Sequence, residues 1–501
     1  MKITINNKLC YIDCNDSDLL KRIKLLLSYD VKGAFFSPAY RAGRWDGKNY
    51  LFSTTSKTIN IGLLNRLLIW LDLEKIEYTI EDKRDIKENF KFEYLNDNRI
   101  MYVNEDGVEI KLRYFQKDAI RKYIEPKFGL KSTRGIFEMP PRSGKTLTVG
   151  TLGLVLNEYP IMFIVHTIDL AYQTKKVFEK LYNQKIGIVG DGNFDIDANI
   201  VITTIQSLCQ IYDIKLKKTE DTFLVDEEKM ILDENKVEFK NWVATVKTVM
   251  GDECHVSASD MWVEIPKYLK SVIYYIGCSG TPYREDNAEL LIEQLWGNIV
   301  YSYSREQGVS DGFLLPIKVY MIILPQIDVS SSDYMTQKSE GLNKNPYIVS
   351  ATEKLLKRHH KKNMSSVIII KEKSQGNLIH KRIKCDYLHG KIKGNERARV
   401  YNELHNKNIM NIISTVTDIG VDIPSLDSVI IASPSKSKTS AFQRIRSGTP
   451  YADKKYGYVF ILCPQIKTKD KNYLEEHWKK LKNILKKEKS FTVEEVMYED
   501  L

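Results

Sequence analysis

Residues 134–146 run Arg-Gly-Ile-Phe-Glu-Met-Pro-Pro-Arg-Ser-Gly-Lys-Thr. The first few residues form a short apolar run of the kind that makes a strand buried on both faces. After Lys145, Val149, Leu152, Val155 and Leu156 fall at helical spacing until Pro160 stops the pattern. A strand, a tight loop and a helix in this order are the setting of a phosphate-binding loop. There, backbone N–H groups cradle phosphate oxygens, aided by the partial positive charge at the helix start. In this reading Pro141, Arg142, Ser143 and Gly144 line the cradle, Lys145 reaches the outer phosphates of ATP, and Thr146 holds Mg²⁺. One departure from the usual G-x-x-x-x-G-K-T spacing is Met139, which stands where the first glycine is expected.

Outward from this loop the chain alternates. Five apolar runs begin near Arg134, Ile161, Asn199, Thr245 and Ser271, and the stretches between them can hold helices. Five more occupy Ser365 to Cys463, with a helical spacer at Asn395–Leu404. This predicts an α/β fold of two tandem doubly wound parallel-sheet domains, over residues 101–320 and 321–465, a pairing that resembles tandem RecA-like domains. The polar passage Gln326–Gly341 reads as a long loop. Residues 1–100, with aromatic-rich stretches near Ala34–Phe36 and Tyr50–Phe52 and a helical Leu63–Leu71 segment, read as a small α+β domain. Beyond Ile466 a lysine-rich tail places Leu474, Trp478, Leu481 and Leu485 at helical spacing, which predicts a basic amphipathic helix. Its polar face is either solvated or set against DNA.

Composition narrows the function classes. Of 501 residues, 75 are Lys or Arg and 65 are Asp or Glu, a formal charge of +10 that favours a polyanionic partner. No apolar run is long enough to span a bilayer. The start lacks the apolar core and cleavage site of a secretory signal, so the expected location is the cytoplasm, that of the host if the chain is phage-encoded. Seven scattered cysteines without zinc-site spacing read as free thiols.

A second motif joins the first. Gly251-Asp252-Glu253-Cys254-His255 closes a strand-like run at its carboxyl end, where α/β sheets place ligands. Two adjacent carboxylates there can divide labour, Asp252 on Mg²⁺ and Glu253 on the attacking water. With Ser279-Gly280-Thr281 and Gln443-Arg444, these motifs resemble the superfamily 2 helicases and translocases over roughly Leu112 to Gly448. The resemblance implies that Gln116 reads adenine with Arg113 supporting it. It implies further that Thr167, Thr204, Gln206, Ser414 and Thr415 line a nucleic-acid strand, and that Gly420 and Asp422 face the nucleotide. His255, Ser279, Thr281 and Gln443 would couple nucleotide state to strand grip. Where the family carries Q-R-x-G-R-x-x-R, this chain has Gln443-Arg444-Ile445-Arg446-Ser447-Gly448-Thr449-Pro450. The catalytic arginine is therefore Arg446, Arg444 or neither.

The leading segment Phe36 to Lys48, followed by Ile61-Gly62-Leu63-Leu64, resembles the small N-terminal domain of phage UvsW-type helicases. Those act on branched DNA in recombination, replication and repair. Arg41, Arg44 and Lys48, interleaved with Tyr40 and Trp45, could grip phosphates and stack on an unpaired base. The expected protein is a monomeric, ATP- and Mg²⁺-dependent helicase on forked or branched DNA that tracks one strand. An RNA helicase and a non-hydrolysing DNA-binding protein on a decayed ATPase fold are the alternatives. Truncation before about Glu105 is expected to leave the motor intact.

Overall fold

The computed structural model describes residues 1–87, 89–104, 107–214, 233–254, 265–280, 289–389, 392, 394–415, 426–433, 456–468 and 471–501. These pack as two compact units, one of Met1–Pro140 with the described residues from Gly144 to Tyr303, the other of Pro141–Ser143 with those from Ser304 to Leu501.

The first unit opens with an α+β module. Strands β1 (Lys2–Ile5), β2 (Leu9–Asp13), β3 (Ser28–Asp30), β4 (Lys48–Tyr50), β5 (Thr58–Asn60) and β6 (Thr79–Asp82) give a four-stranded sheet in the order β5-β2-β1-β6 and a separate β3–β4 hairpin. Alternation along β1 and β2 sends Ile3, Ile5, Cys10 and Ile12 into a core closed by Leu67, Leu68 and Leu71 of the Leu64–Leu73 helix. Leu290, which lies far along the chain, completes that core. The short pair β7 (Ile100–Val103) and β8 (Glu109–Lys111) leads out of the module.

The module is docked on the larger sheet of the same unit. That sheet holds β9 (Arg134–Glu138), β10 (Ile161–Val165), β11 (Gly187–Gly190), β12 (Asn193–Phe194), β13 (Ile200–Thr204), β14 (Thr248–Asp252), β15 (Tyr274–Ser279) and β16 (Ile299–Ser302). Its order is β12-β11-β13-β10-β14-β15-β9-β16, parallel except between β11 and β12. The dock is made on the helix Glu289–Trp296. Arg66 pairs in bidentate fashion with Glu293, both contacts 2.6 Å, and Asn65 donates to Asn298 at 2.7 Å. Gly62 lies so close that a Cβ there would sit 2.2 Å from the Glu293 carbonyl oxygen. Arg134, on β9, donates to the carbonyls of Asn7 and Leu295 at 3.0 Å each, and its guanidinium lies 3.8 Å from the centre of the Tyr275 ring.

The second unit is built on one parallel sheet of β17 (Ile317–Asp328), β18 (Ser366–Ile369), β19 (Asp386–Leu388), β20 (Asn411–Ser414), β21 (Ser428–Ile431), β22 (Gly457–Lys467) and β23 (Phe491–Met497), ordered β19-β20-β18-β21-β22-β17-β23. Strands form at all ten expected runs. The basic helix is present at Tyr473–Lys486, with Leu474, Trp478, Leu481 and Leu485 all buried against this sheet. The strand β23 that follows it was not expected.

The passage Gln326–Gly341 differs from the expected loop. β17 runs on to Asp328, Tyr334–Thr336 is helical, and Gln337–Asn343 forms a π-helical stretch. A buried polar side chain organises it. Gln337 donates to the carbonyls of Ser332 (2.9 Å) and Lys471 (2.7 Å) and accepts from the Tyr473 amide (2.9 Å). A composition that reads as solvated loop is here folded around one fully satisfied amide.

Candidate nucleotide site and nucleic-acid surface

The loop after β9 is anchored where Met139 donates its amide to the Ser279 carbonyl at 2.9 Å. Met139 is fully buried, so the residue that departs from the glycine pattern serves as core. Arg142 takes a left-handed φ of 66° and Ser143 is fully buried. Gly144, at φ 82°, begins the helix Lys145–Leu156, whose first amides no Gly144 side chain can cap. A Cβ on Gly144 would meet Gln116 Nε2 at 2.3 Å, and the φ of 82° itself favours glycine at this position. Gln116 is buried, and its Oε1 accepts the Arg113 amide at 2.8 Å. Gln116 is thus brought to the loop, and Arg113 is tied to Gln116 through its backbone amide.

The order β14-β15-β9 places Ser279, at the end of β15, between this loop and the end of β14. Lys145 Nζ lies 2.6 Å from Glu253 Oε1 and 3.8 Å from Asp252 Oδ1. Ser279 Oγ donates to the other Glu253 oxygen at 3.3 Å, and His166 Nε2 is 3.0 Å from the Glu253 carbonyl oxygen. Glu253 itself has φ 48°, with its amide donating to Asp252 Oδ1 at 2.9 Å. Burial works against the charge on Lys145, but Glu253 first and then Asp252 outweigh it and hold its pKa above the ordinary lysine value. A permanently charged ammonium, two carboxylates and the open start of a helix therefore meet at one point. The donors fit a polyphosphate. Among the described residues no group of three or more His, Cys, Asp or Glu could hold a metal by itself. A divalent ion would take Asp252 and the half-buried Thr146 together with phosphate oxygens, the manner of binding usual for Mg²⁺.

Two neighbours of the site escaped the sequence reading. Trp296 packs on β14 and β15 so closely that a Cβ on Gly251 would sit 2.5 Å from its ring, and one on Gly277 3.3 Å from it. Cys278 Sγ lies 3.2 Å from Asp252 Oδ1. Burial first, then the adjacent Asp252 charge, pushes that thiol far up and keeps it neutral. Glycines inside two buried strands were the available signal for the tryptophan.

The residues expected along a nucleic-acid strand divide differently. Thr167 Oγ1 accepts the Leu170 amide at 3.3 Å, and Thr204 Oγ1 accepts the Ser207 amide at 3.1 Å, each hydroxyl capping a helix. Gln206 is buried beside the second cap. Ser414 and Thr415, at the carboxyl end of β20, are buried, and the Thr415 amide donates to the Leu388 carbonyl at 3.0 Å. His255, Thr281, Gly420, Asp422, Gln443, Arg444 and Arg446 lie outside the described residues. In the N-terminal module Arg41 and Arg44 are exposed. Trp45 is half-buried and donates Nε1 to the Lys48 carbonyl at 2.8 Å, while Lys48 pairs with Asp30 at 2.8 Å. Trp45 and Lys48 are therefore less available than the sequence suggested.

Parallel sheets carrying a lysine-tipped phosphate loop and a paired-carboxylate strand end have the parts of a P-loop nucleotidase. Three family models match the chain. They are DNA helicase UvsW, N-terminal, over 5–81, type III restriction enzyme, res subunit, over 109–284, and helicase conserved C-terminal domain over 348–446. The chain is thus similar to UvsW-type helicases. It is 23% identical to the ATP-dependent DNA helicase uvsW of Enterobacteria phage T4, over 87% of this chain and 84% of that one. The crystal structure of T4 UvsW aligns with 99% of this chain and 100% of its own at 20% identity, TM-score 0.47. S. cerevisiae Dbp5 bound to RNA and ADP BeF3 shares the fold over 78% of this chain and 91% of its own, at 14% identity and TM-score 0.54.

Proposed function

We propose that this chain is an ATP-dependent DNA helicase that remodels forked or branched duplexes. The observation that carries the ATPase reading is the buried contact of Lys145 with Glu253, with Asp252 beside it, at the mouth of an uncapped helix. Lys145 would neutralise the outer phosphates, and Asp252 and Thr146 would hold Mg²⁺. Glu253, oriented by Ser279, would accept a proton from the attacking water. Bound ATP–Mg²⁺ supplies the phosphoryl group and the charge that these side chains address. Gln116, set on the loop, would select the base, with Arg113 supporting it. Arg446 is the candidate for the arginine that stabilises charge on the transferring phosphate, with Arg444 the alternative.

DNA rather than RNA is supported by the match of the leading module to the N-terminal family model of UvsW helicases. Hydrolysis without nucleic acid, then with single-stranded DNA, forked DNA and RNA, tests the reading. Strong stimulation by DNA, greatest on forks, is the expected result. Stimulation by RNA alone would turn the assignment to an RNA helicase, and no hydrolysis at all would leave a DNA-binding protein.

A further inference from the structure

Residues 31–47 form the tip of the β3–β4 hairpin, and two aromatic rings project from it. Phe35 is 59% exposed and Phe36 68%, and their ring centroids are 4.1 Å apart. The backbone beneath them is firmly built. Ala34–Phe36 is a 3₁₀ turn in which the Phe36 amide donates to the Gly33 carbonyl at 2.9 Å. Arg41 Nε donates to the Phe35 carbonyl at 3.0 Å, and Ser37 caps the short helix that follows. Gly47 is pressed against Tyr40 and Ala34, where a Cβ would come within 2.9 Å of the Tyr40 ring. The rings are thus presented to solvent by an ordered turn, while Phe52 nearby in sequence is buried in the module's core.

Two adjacent exposed phenylalanines on a rigid turn carry a cost in water that a binding role offsets. The charges around them name the occupant. Lys32, Arg41 and Arg44 are exposed and make no salt bridge among the described residues, whereas Lys48 is already neutralised by Asp30. Ring faces flanked by uncompensated cations match the alternation of base and phosphate in an unpaired strand.

We propose that Phe35 and Phe36 are a stacking wedge for unpaired bases where a DNA duplex opens, with Lys32, Arg41 and Arg44 holding the flanking phosphates. This rests on the reading of the chain as a DNA helicase. It moves the aromatic contact from Trp45, which is tied into its own loop, to the two phenylalanines.

The test uses the full-length protein and its Phe35→Ala/Phe36→Ala, Phe35→Leu/Phe36→Leu and Phe35→Tyr/Phe36→Tyr variants. Each is titrated against linear duplex and against a fork carrying 2-aminopurine at the first unpaired position, with thermal melting as the folding control. Alanine and leucine variants that melt normally should bind the fork about tenfold or more weakly, in keeping with base–aromatic stacking. They should also lose the 2-aminopurine response, and the tyrosine variant should keep both. Leucine behaving as wild type would make the patch a plain apolar contact and overturn the proposal. So would an alanine variant unchanged on forks, or sedimentation showing that the patch joins two copies of the chain. Hydrolysis by the wild type on single-stranded DNA is measured alongside. No stimulation there removes the helicase reading itself, whereas stimulation with unchanged alanine variants removes only the wedge.

Discussion

At Lys145 a full positive charge is buried against one carboxylate and beside another, so substitutions there act on stability as well as chemistry. Lys145→Ala should abolish DNA-stimulated hydrolysis and also lower the melting temperature, because Glu253 is left buried without its cation, a loss of about 3–5 kcal/mol. Glu253→Gln should abolish turnover too, yet retain ATP binding, since Asp252 remains. Equilibrium binding of a fluorescent ATP analogue and calorimetric melting separate the two outcomes. Near-wild-type hydrolysis in either variant would sink the assignment. Lys145, Asp252 and Glu253 were legible in the sequence because a phosphate loop and a carboxylate pair use contiguous residues. Trp296 and Cys278 were not, because their contacts depend on which strands become neighbours. The capping roles of Thr167 and Thr204 were hidden for a related reason: one hydroxyl serves a helix end or a ligand, and spacing alone does not say which.

Among the elements, the helix Glu289–Trp296 has two loads. Its carbonyls at Glu293 and Gln294 receive the N-terminal module at Gly62, and Trp296 supports the backbone of β14 and β15 beside Asp252. Gly62→Ala should therefore force the dock apart at a cost of about 1–3 kcal/mol. Amide exchange should quicken in 289–296 and in the Leu64–Leu73 helix, with the Tyr473–Lys486 helix as an unaffected reference. Unaltered exchange would mean that the module's position does not depend on this close approach. Apolar strands and the tail helix could be read from periodicity, since hydrophobic spacing encodes which face is buried. The helix Glu289–Trp296 carried no sign of its double role, and the folding of Gln326–Gly341 around Gln337 was invisible, because a buried amide looks in sequence like any surface glutamine.

For the molecule as a whole, the dock revises the expectation for truncation. Removing residues before about Glu105 would uncover Leu290 and take the Asn7 carbonyl from Arg134. The shortened protein should thus melt at a lower temperature than the full chain, and an unchanged melting curve would show that the larger sheet stands alone. The second unit should be acid-sensitive. Burial chiefly, with Lys362 adding and Asp427 opposing, lowers the His359 pKa from 6.5 to about 4. The unfolded chain therefore binds the extra proton first. Stability is full above about pH 6.5 and is lost as pH falls through about 4, by about 3 kcal/mol at most. Denaturant titrations across that range should show the slope in wild type and a smaller one in His359→Asn. The order of β22, β17 and β23 has a consequence for synthesis. β17, the first strand of its sheet to leave the ribosome, pairs with the last two. The first unit can mature while translation continues, but β17 waits, apolar and unpaired, until residues 457–497 have been made. A nonsense mutation before residue 457 would leave it without either neighbour, an open sheet edge suited to aggregation.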